Sequence, residues 1–142
     1  LGLFDDERLA HSWRIVTDAR TTADELALKF EGLLGDEYEV SALSVCSTVP
    51  PVLREMRTML ERYYGDLPNI VVEPGIKTGV PILTDNPKEV GSDRIVNSLA
   101  AFTLYGGPSI VVDFGTYTTV ATSQRKFVAY FGFGLWHGPD GA

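Results

Sequence analysis

The spacing of apolar positions changes several times along the chain, and each change predicts an element. In "LGLF" and "RLAHSWRIVT" apolar residues fall at roughly alternate positions, with Leu9, Trp13 and Ile15 in the second stretch and the acidic Asp5-Asp6-Glu7 between. That pattern predicts two short strands joined as a hairpin. From Thr22 the period lengthens. Thr22 and Glu25 form a capping box, and Leu26, Phe30, Leu33 and Leu34 make one helical stripe that stops at Gly35. "YEVSALSVCS" returns to a strand. Pro51 then suits the first turn of a second helix, whose core side carries Val52, Met56, Met59, Leu60 and Tyr63 and which Gly65 ends. "NIVVE" predicts a short strand of the buried type, and "PGIKTGVPILTDNP", with three prolines and two glycines, predicts a loop that reaches over something. A third helix is expected to start at Asn86-Pro87, to face the core with Ile95, Leu99, Phe102 and Leu104, and to stop at Gly106-Gly107. "SIVVDF" is a β-branched strand. Beyond it "YTTVATSQRKFVAYFGFGLWHGPDGA" holds a polar-basic turn, Ser123 to Lys126, and an aromatic, glycine-rich stretch without a clean period.

Strand hairpin, helix, strand, helix, strand, helix, strand is an α/β order and predicts a mixed sheet with helices packed on it. The chain has 142 residues, 44% apolar and 22% charged, enough for a soluble globular core. A net charge of −7 argues against binding along a nucleic-acid backbone, which needs a basic stripe. Small anions remain possible ligands, since local backbone donors can hold them against the global charge. No apolar run reaches the roughly 18 to 20 residues of a membrane span, and the start lacks a basic region followed by a long apolar one. A single cysteine, Cys46, leaves no internal disulfide and fits a reducing cytoplasm. It reads as a small buried strand residue. His11 and His137 are far apart and show no partner. Leu1 stands where a Met would begin a chain, and Gly141-Ala142 ends it without a capping element, so a fragment is expected.

Two short stretches carry candidate chemistry. At the end of "IVVDF", Asp113 is followed by Gly115, Thr116, Thr118 and Thr119. Ligands in open α/β sheets gather beyond the carboxyl ends of strands. There a glycine brings backbone N–H groups close to phosphate oxygens, threonines donate hydrogen bonds and an aspartate can ligate a cation. The same pattern fits a hairpin turn whose aspartate accepts backbone donors. Twenty residues earlier, Gly91-Ser92-Asp93-Arg94 falls early in the third predicted helix, where glycine costs roughly 1 kcal/mol against alanine. A close approach of a ligand would offset that cost, with Asp93 as a candidate base and Arg94 as a partner for an anion. Asp93 and Arg94 also fit an ion pair on a helix surface. On the residues alone, both pairs of readings stand.

Taken in order and spacing, "TADELAL", "STVPPVL", "VEPGIKTGVPILTDNPKEVGSDRIVN" and "IVVDFGTYTT" resemble type III pantothenate kinases, and closely the actinobacterial kind, over residues 1 to about 120. Gly-x-Asp-Arg followed twenty residues later by Asp-x-Gly-Thr is much more specific than either motif alone. The resemblance implies a fold of the actin-like sugar-kinase superfamily, with two ribonuclease-H-like halves. Residues 1–108 would be the first half without its first strand, and 109–142 the start of the second, truncated or divergent. It implies ATP-dependent phosphorylation of the terminal hydroxyl of pantothenate to 4'-phosphopantothenate, the entry to coenzyme A synthesis, in a cytoplasmic homodimer. Gly91, Ser92, Asp93 and Arg94 would contact pantothenate, and Asp93 would take the hydroxyl proton. Asp113 would hold a monovalent cation, potassium or ammonium, and Thr116 would meet the ATP phosphates, with magnesium as a further cofactor. Two departures stand out. The family's first strand and turn, of the type Asp-x-Gly-Asn-Thr with a magnesium-linked carboxylate, falls before Leu1, and Val120 and Ala121 replace the Asp and the start of a glycine-rich loop. The rival reading is a non-catalytic relative with a binding or regulatory role.

Overall fold

A computed structural model of the chain describes residues 1–77, 82–83, 86–114, 118–124 and 127–133. Two compact units form, Leu1–Val71 and Val72–Ala142.

In the first unit, β1 (Gly2–Asp5) and β2 (Arg8–Ser12) pair antiparallel, as the alternation predicts. The turn between them is solvated, and Asp5 and Arg8 form an exposed ion pair at 3.1 Å. His11 has partners after all: its Nε2 is 2.9 Å from the Tyr38 hydroxyl, and its ring stacks on Trp13. Helix α1 (Ala23–Leu34) begins at the predicted capping box. The Glu25 N–H donates to Thr22 Oγ1 at 3.3 Å, and the Thr22 N–H donates to Glu25 Oε2 at 2.9 Å. A second carboxylate joins them, since Glu55 Oε2 accepts the Ala23 N–H at 3.0 Å from helix α2 (Pro50–Tyr63). Donors that the first turn cannot satisfy internally are thereby taken up.

Strands β3 (Leu43–Cys46) and β4 (Asn69–Val72) form a second two-stranded sheet. Ala23, Leu26, Ala27 and Phe30 of α1, Val45 of β3 and Met59 and Leu60 of α2 close one core around Met59, which is fully buried. Three positions depart from the periodicity. Tyr63 is half exposed and donates to Asp24 at 2.8 Å, while Tyr64, where the chain leaves the helix, packs against the core. Cys46 is exposed, because alternation along β3 turns Val45 inward and its neighbour outward. Ile70 of β4 is also exposed, so only the C-terminal end of that strand is of the buried type.

The second unit contains helix α3 (Ser92–Tyr105) and an antiparallel sheet of β5 (Ser109–Phe114), β6 (Thr118–Gln124) and β7 (Phe127–Phe133), in that order. The last stretch, to which the sequence gives no clear period, therefore contributes two strands of a meander. Of the loop before α3, Ile76 and Ile82 pack with Val72, Val90 and Ile95 in a small core. Helix α3 stops where predicted: Gly106 takes φ 73°, a conformation glycine adopts without steric cost, and its N–H reaches the Phe102 carbonyl at 2.9 Å. Leu104, expected in the core, is instead 71% exposed. The architecture is α/β, and the described strands form three sheets.

Candidate functional site

Helix α3 begins five residues later than its sequence suggests. Asn86-Pro87 opens a 3-10 turn, Pro87–Glu89, and Val90 then leaves it in an extended conformation. Val90 is 5% exposed, seated with Val72 and Ile95. Burial of this side chain draws the backbone out of helical geometry, and the helix restarts with Gly91 as its N-cap, at φ −59° and ψ 142°. Gly91 thus lies outside the helix interior, and the cost expected for it there does not arise, since glycine is well tolerated at an N-cap. Its carbonyl accepts the N–H groups of Arg94 and Ile95 at 3.1 and 3.3 Å.

This placement puts Ser92, Asp93 and Arg94 on the first turn of α3. Ser92 is buried, while Asp93 and Arg94 are half-buried. A carboxylate in the first turn interacts favourably with the helix dipole. Among the described residues no ion pair joins Asp93 to Arg94, so the surface-pair reading of this dipeptide fails.

Asp113 lies one residue before the end of β5, half-buried. Its Oδ2 accepts a hydrogen bond of 3.0 Å from Asn97 Nδ2. The other oxygen accepts no hydrogen bond among the described residues. The aspartate is held by a side chain of α3, and the turn residues 115–117 that would offer backbone donors to it lie outside the described residues. Thr116, expected at the phosphates, and Gly115 lie outside the described residues, as do His137 and Trp136.

Helix α3 packs on β5 and β6. An open cleft of about 480 Å³ runs between helix and strand, polar at the Asn97–Asp113 end and lined beyond it by Ala100, Ala101, Leu104, Tyr105, Val111 and Val112. The two alanines leave room that larger side chains would fill. Among the described residues no group of three or more His, Cys, Asp or Glu side chains could hold a metal ion. Asp113 therefore offers a single carboxylate. A carboxylate oxygen of this kind can take a cation. Asn97 is the residue that sequence reasoning missed. A signal existed: it stands four positions after Asp93, on the same helical face.

A model of the type III pantothenate kinase family matches residues 1–130. The chain is 66% identical over 131 residues to a type III pantothenate kinase of Salinispora arenicola, covering 90% of this chain and 52% of the relative. It is 61% identical to one of Streptomyces avermitilis (88% and 51% covered) and 63% identical to one of Rhodococcus erythropolis (89% and 48%). The chain spans about half the length of the curated relatives it matches. No helix among the described residues is long and apolar enough to cross a membrane.

Proposed function

Because the chain belongs to the type III pantothenate kinase family, whose fold is the actin-like ATPase fold, we propose that it is part of an enzyme that transfers the γ-phosphoryl group of ATP to pantothenate. The observation that carries this reading is the arrangement of α3 and β5. The Gly-Ser-Asp-Arg turn opens the helix, and one turn further on Asn97 binds Asp113 at the carboxyl end of the strand.

In the reaction the terminal hydroxyl oxygen of pantothenate forms a new bond to the γ-phosphorus, the bond from that phosphorus to the ADP oxygen breaks, and the hydroxyl proton passes to the Asp93 carboxylate. Phosphoryl transfer has a loose transition state, so positioning and charge neutralisation matter more than a strong base. A carboxylate on a rigid helical turn can align the hydroxyl and accept its proton late. Gly91, Ser92 and Arg94 hold the substrate, with the guanidinium of Arg94 as the partner for its carboxylate. Thr116 meets the phosphates. Asp113 would hold potassium or ammonium, which would supply positive charge to offset the negative charge of the phosphate oxygens. Magnesium is a further cofactor, for which no residue of this chain is assigned.

Residues 1–108 are read as the first ribonuclease-H-like domain and 109–142 as the start of the second. The protein is placed in the cytoplasm as a homodimer. Leu104, Tyr105 and Ile110, all highly exposed, offer apolar surface of the kind subunits bury. A second, alternative reading is a non-catalytic relative that binds pantothenate or a partner.

The test is an assay with ATP, pantothenate, potassium and magnesium that follows phosphopantothenate by mass, with Asp93→Asn beside it. Turnover that falls by about 10²- to 10⁴-fold in the variant supports the kinase. Pantothenate binding without turnover, in a folded sample, favours the second reading. Undiminished turnover in Asp93→Asn removes Asp93 from its role.

A further inference from the structure

The side chain of Asn97 is absorbed by none of the roles above, yet it makes a defined contact at the centre of the site. Its Nδ2 lies 3.0 Å from Asp113 Oδ2, in a partly buried setting. The orientation of the amide is fixed by chemistry. A carboxylate only accepts, so the NH₂ group, not the carbonyl, must face it. An N–H to carboxylate bond is charge-assisted and stronger than a neutral one. It occupies one oxygen and fixes the plane of the group, so the other oxygen keeps a set direction.

We infer that Asn97 is a positioning residue for the cation site: it orients the Asp113 carboxylate and ties it to the helix that carries Asp93. Asp93 and Asn97 are four residues apart on α3, about 6 Å along the axis and on one face. The bond therefore sets the end of β5, which would hold the cation, in register with the turn that would hold the substrate hydroxyl. Near-attack geometry depends on such registration. Residues that orient a ligand typically matter about 10- to 100-fold to metal affinity or activity.

This inference rests on the proposed role of Asp113, and the test separates the two. The chain is titrated with potassium chloride against choline chloride at constant ionic strength, with magnesium and a non-hydrolysable ATP analogue present. The thermal unfolding midpoint and the Asn97 side-chain amide signals in a ¹H–¹⁵N spectrum are followed. The wild type is expected to show a saturable potassium shift that Asp113→Asn abolishes. Asn97→Leu keeps the approximate shape of the side chain and removes the donor without adding a charge, and Asn97→Ala removes the group. Both are expected to need about 10-fold more potassium or greater for half-saturation. A wild-type response lost in Asp113→Asn but unchanged in both Asn97 variants overturns the inference alone. No response in the wild type overturns the cation role of Asp113 and this inference with it. Movement of the wild-type Asn97 amide signals along the potassium titration supports the inference without any variant, and fixed signals during a saturable response overturn it.

Discussion

Replacing Ser98 with alanine should stabilise the protein, against the usual direction for a change at a buried position. Ser98 lies on α3 at 1% exposure, and its Oγ has no hydrogen-bond partner among the described residues. A helical serine or threonine commonly donates to the carbonyl four residues back. Thr103 on the same helix does so, reaching the Leu99 carbonyl at 2.8 Å, whereas Ser98 makes no such bond. An unsatisfied buried hydroxyl costs about 1–3 kcal/mol. Alanine's helix preference adds a few tenths of a kcal/mol. Opposing these, a void costs about 24 cal/mol per Å³, so one the size of an oxygen atom subtracts only a few tenths of a kcal/mol. The net expectation is a gain of about 1–3 kcal/mol. For a chain of this size, 1 kcal/mol moves Tm by roughly 2–4 °C, so thermal unfolding followed by circular dichroism should show a rise of about 2–12 °C. A Tm at or below the wild-type value would refute the reasoning and mean that the hydroxyl is satisfied in solution.

Met59→Ala acts in the opposite direction. It removes a fully buried side chain from the centre of the α1–β3–α2 core and should cost about 2–5 kcal/mol in urea unfolding; a loss below about 1 kcal/mol would mean that this core collapses around the gap. A pH effect follows from Glu25. The Thr22 N–H, and after it the Thr22 hydroxyl, donate to its carboxylate and hold its pKa below the ordinary glutamate value of 4.5. A depressed folded-state pKa gives stability that is fully present above the unfolded pKa and is lost as pH falls through the folded one. Tm should therefore drop as pH falls below 4.5, and Glu25→Gln, which keeps an acceptor for the Thr22 N–H but cannot titrate, should show a shallower drop. Equal slopes would exclude Glu25 as a contributor.

The sequence by itself determined whatever depends on neighbours along the chain. The Thr22–Glu25 box, the stop of α3 at Gly106 and the hairpin of β1 and β2 are settled by local hydrogen bonds and backbone preferences, which a single stretch expresses in full. The site motifs were legible for the same reason: Asp93 with Arg94, and Asp113 at a strand end, sit in short segments of fixed composition. Tertiary structure decided the rest. Burial of Val90 against Val72 and Ile95 moves the start of α3 from Pro87 to Ser92 and makes Gly91 a cap, and no local signal reports a contact made eighteen residues away. Tyr64 displaces Tyr63 from the core because the helix ends between them and Asp24 of α1 accepts the Tyr63 hydroxyl across a gap of 39 residues. The bond from Asn97 to Asp113 also crosses elements. Periodicity puts Asn97 below Asp93 on α3, but only the packing of that helix on β5 brings the amide to the carboxylate, because side-chain pairing between elements depends on distances in space that sequence separation does not contain.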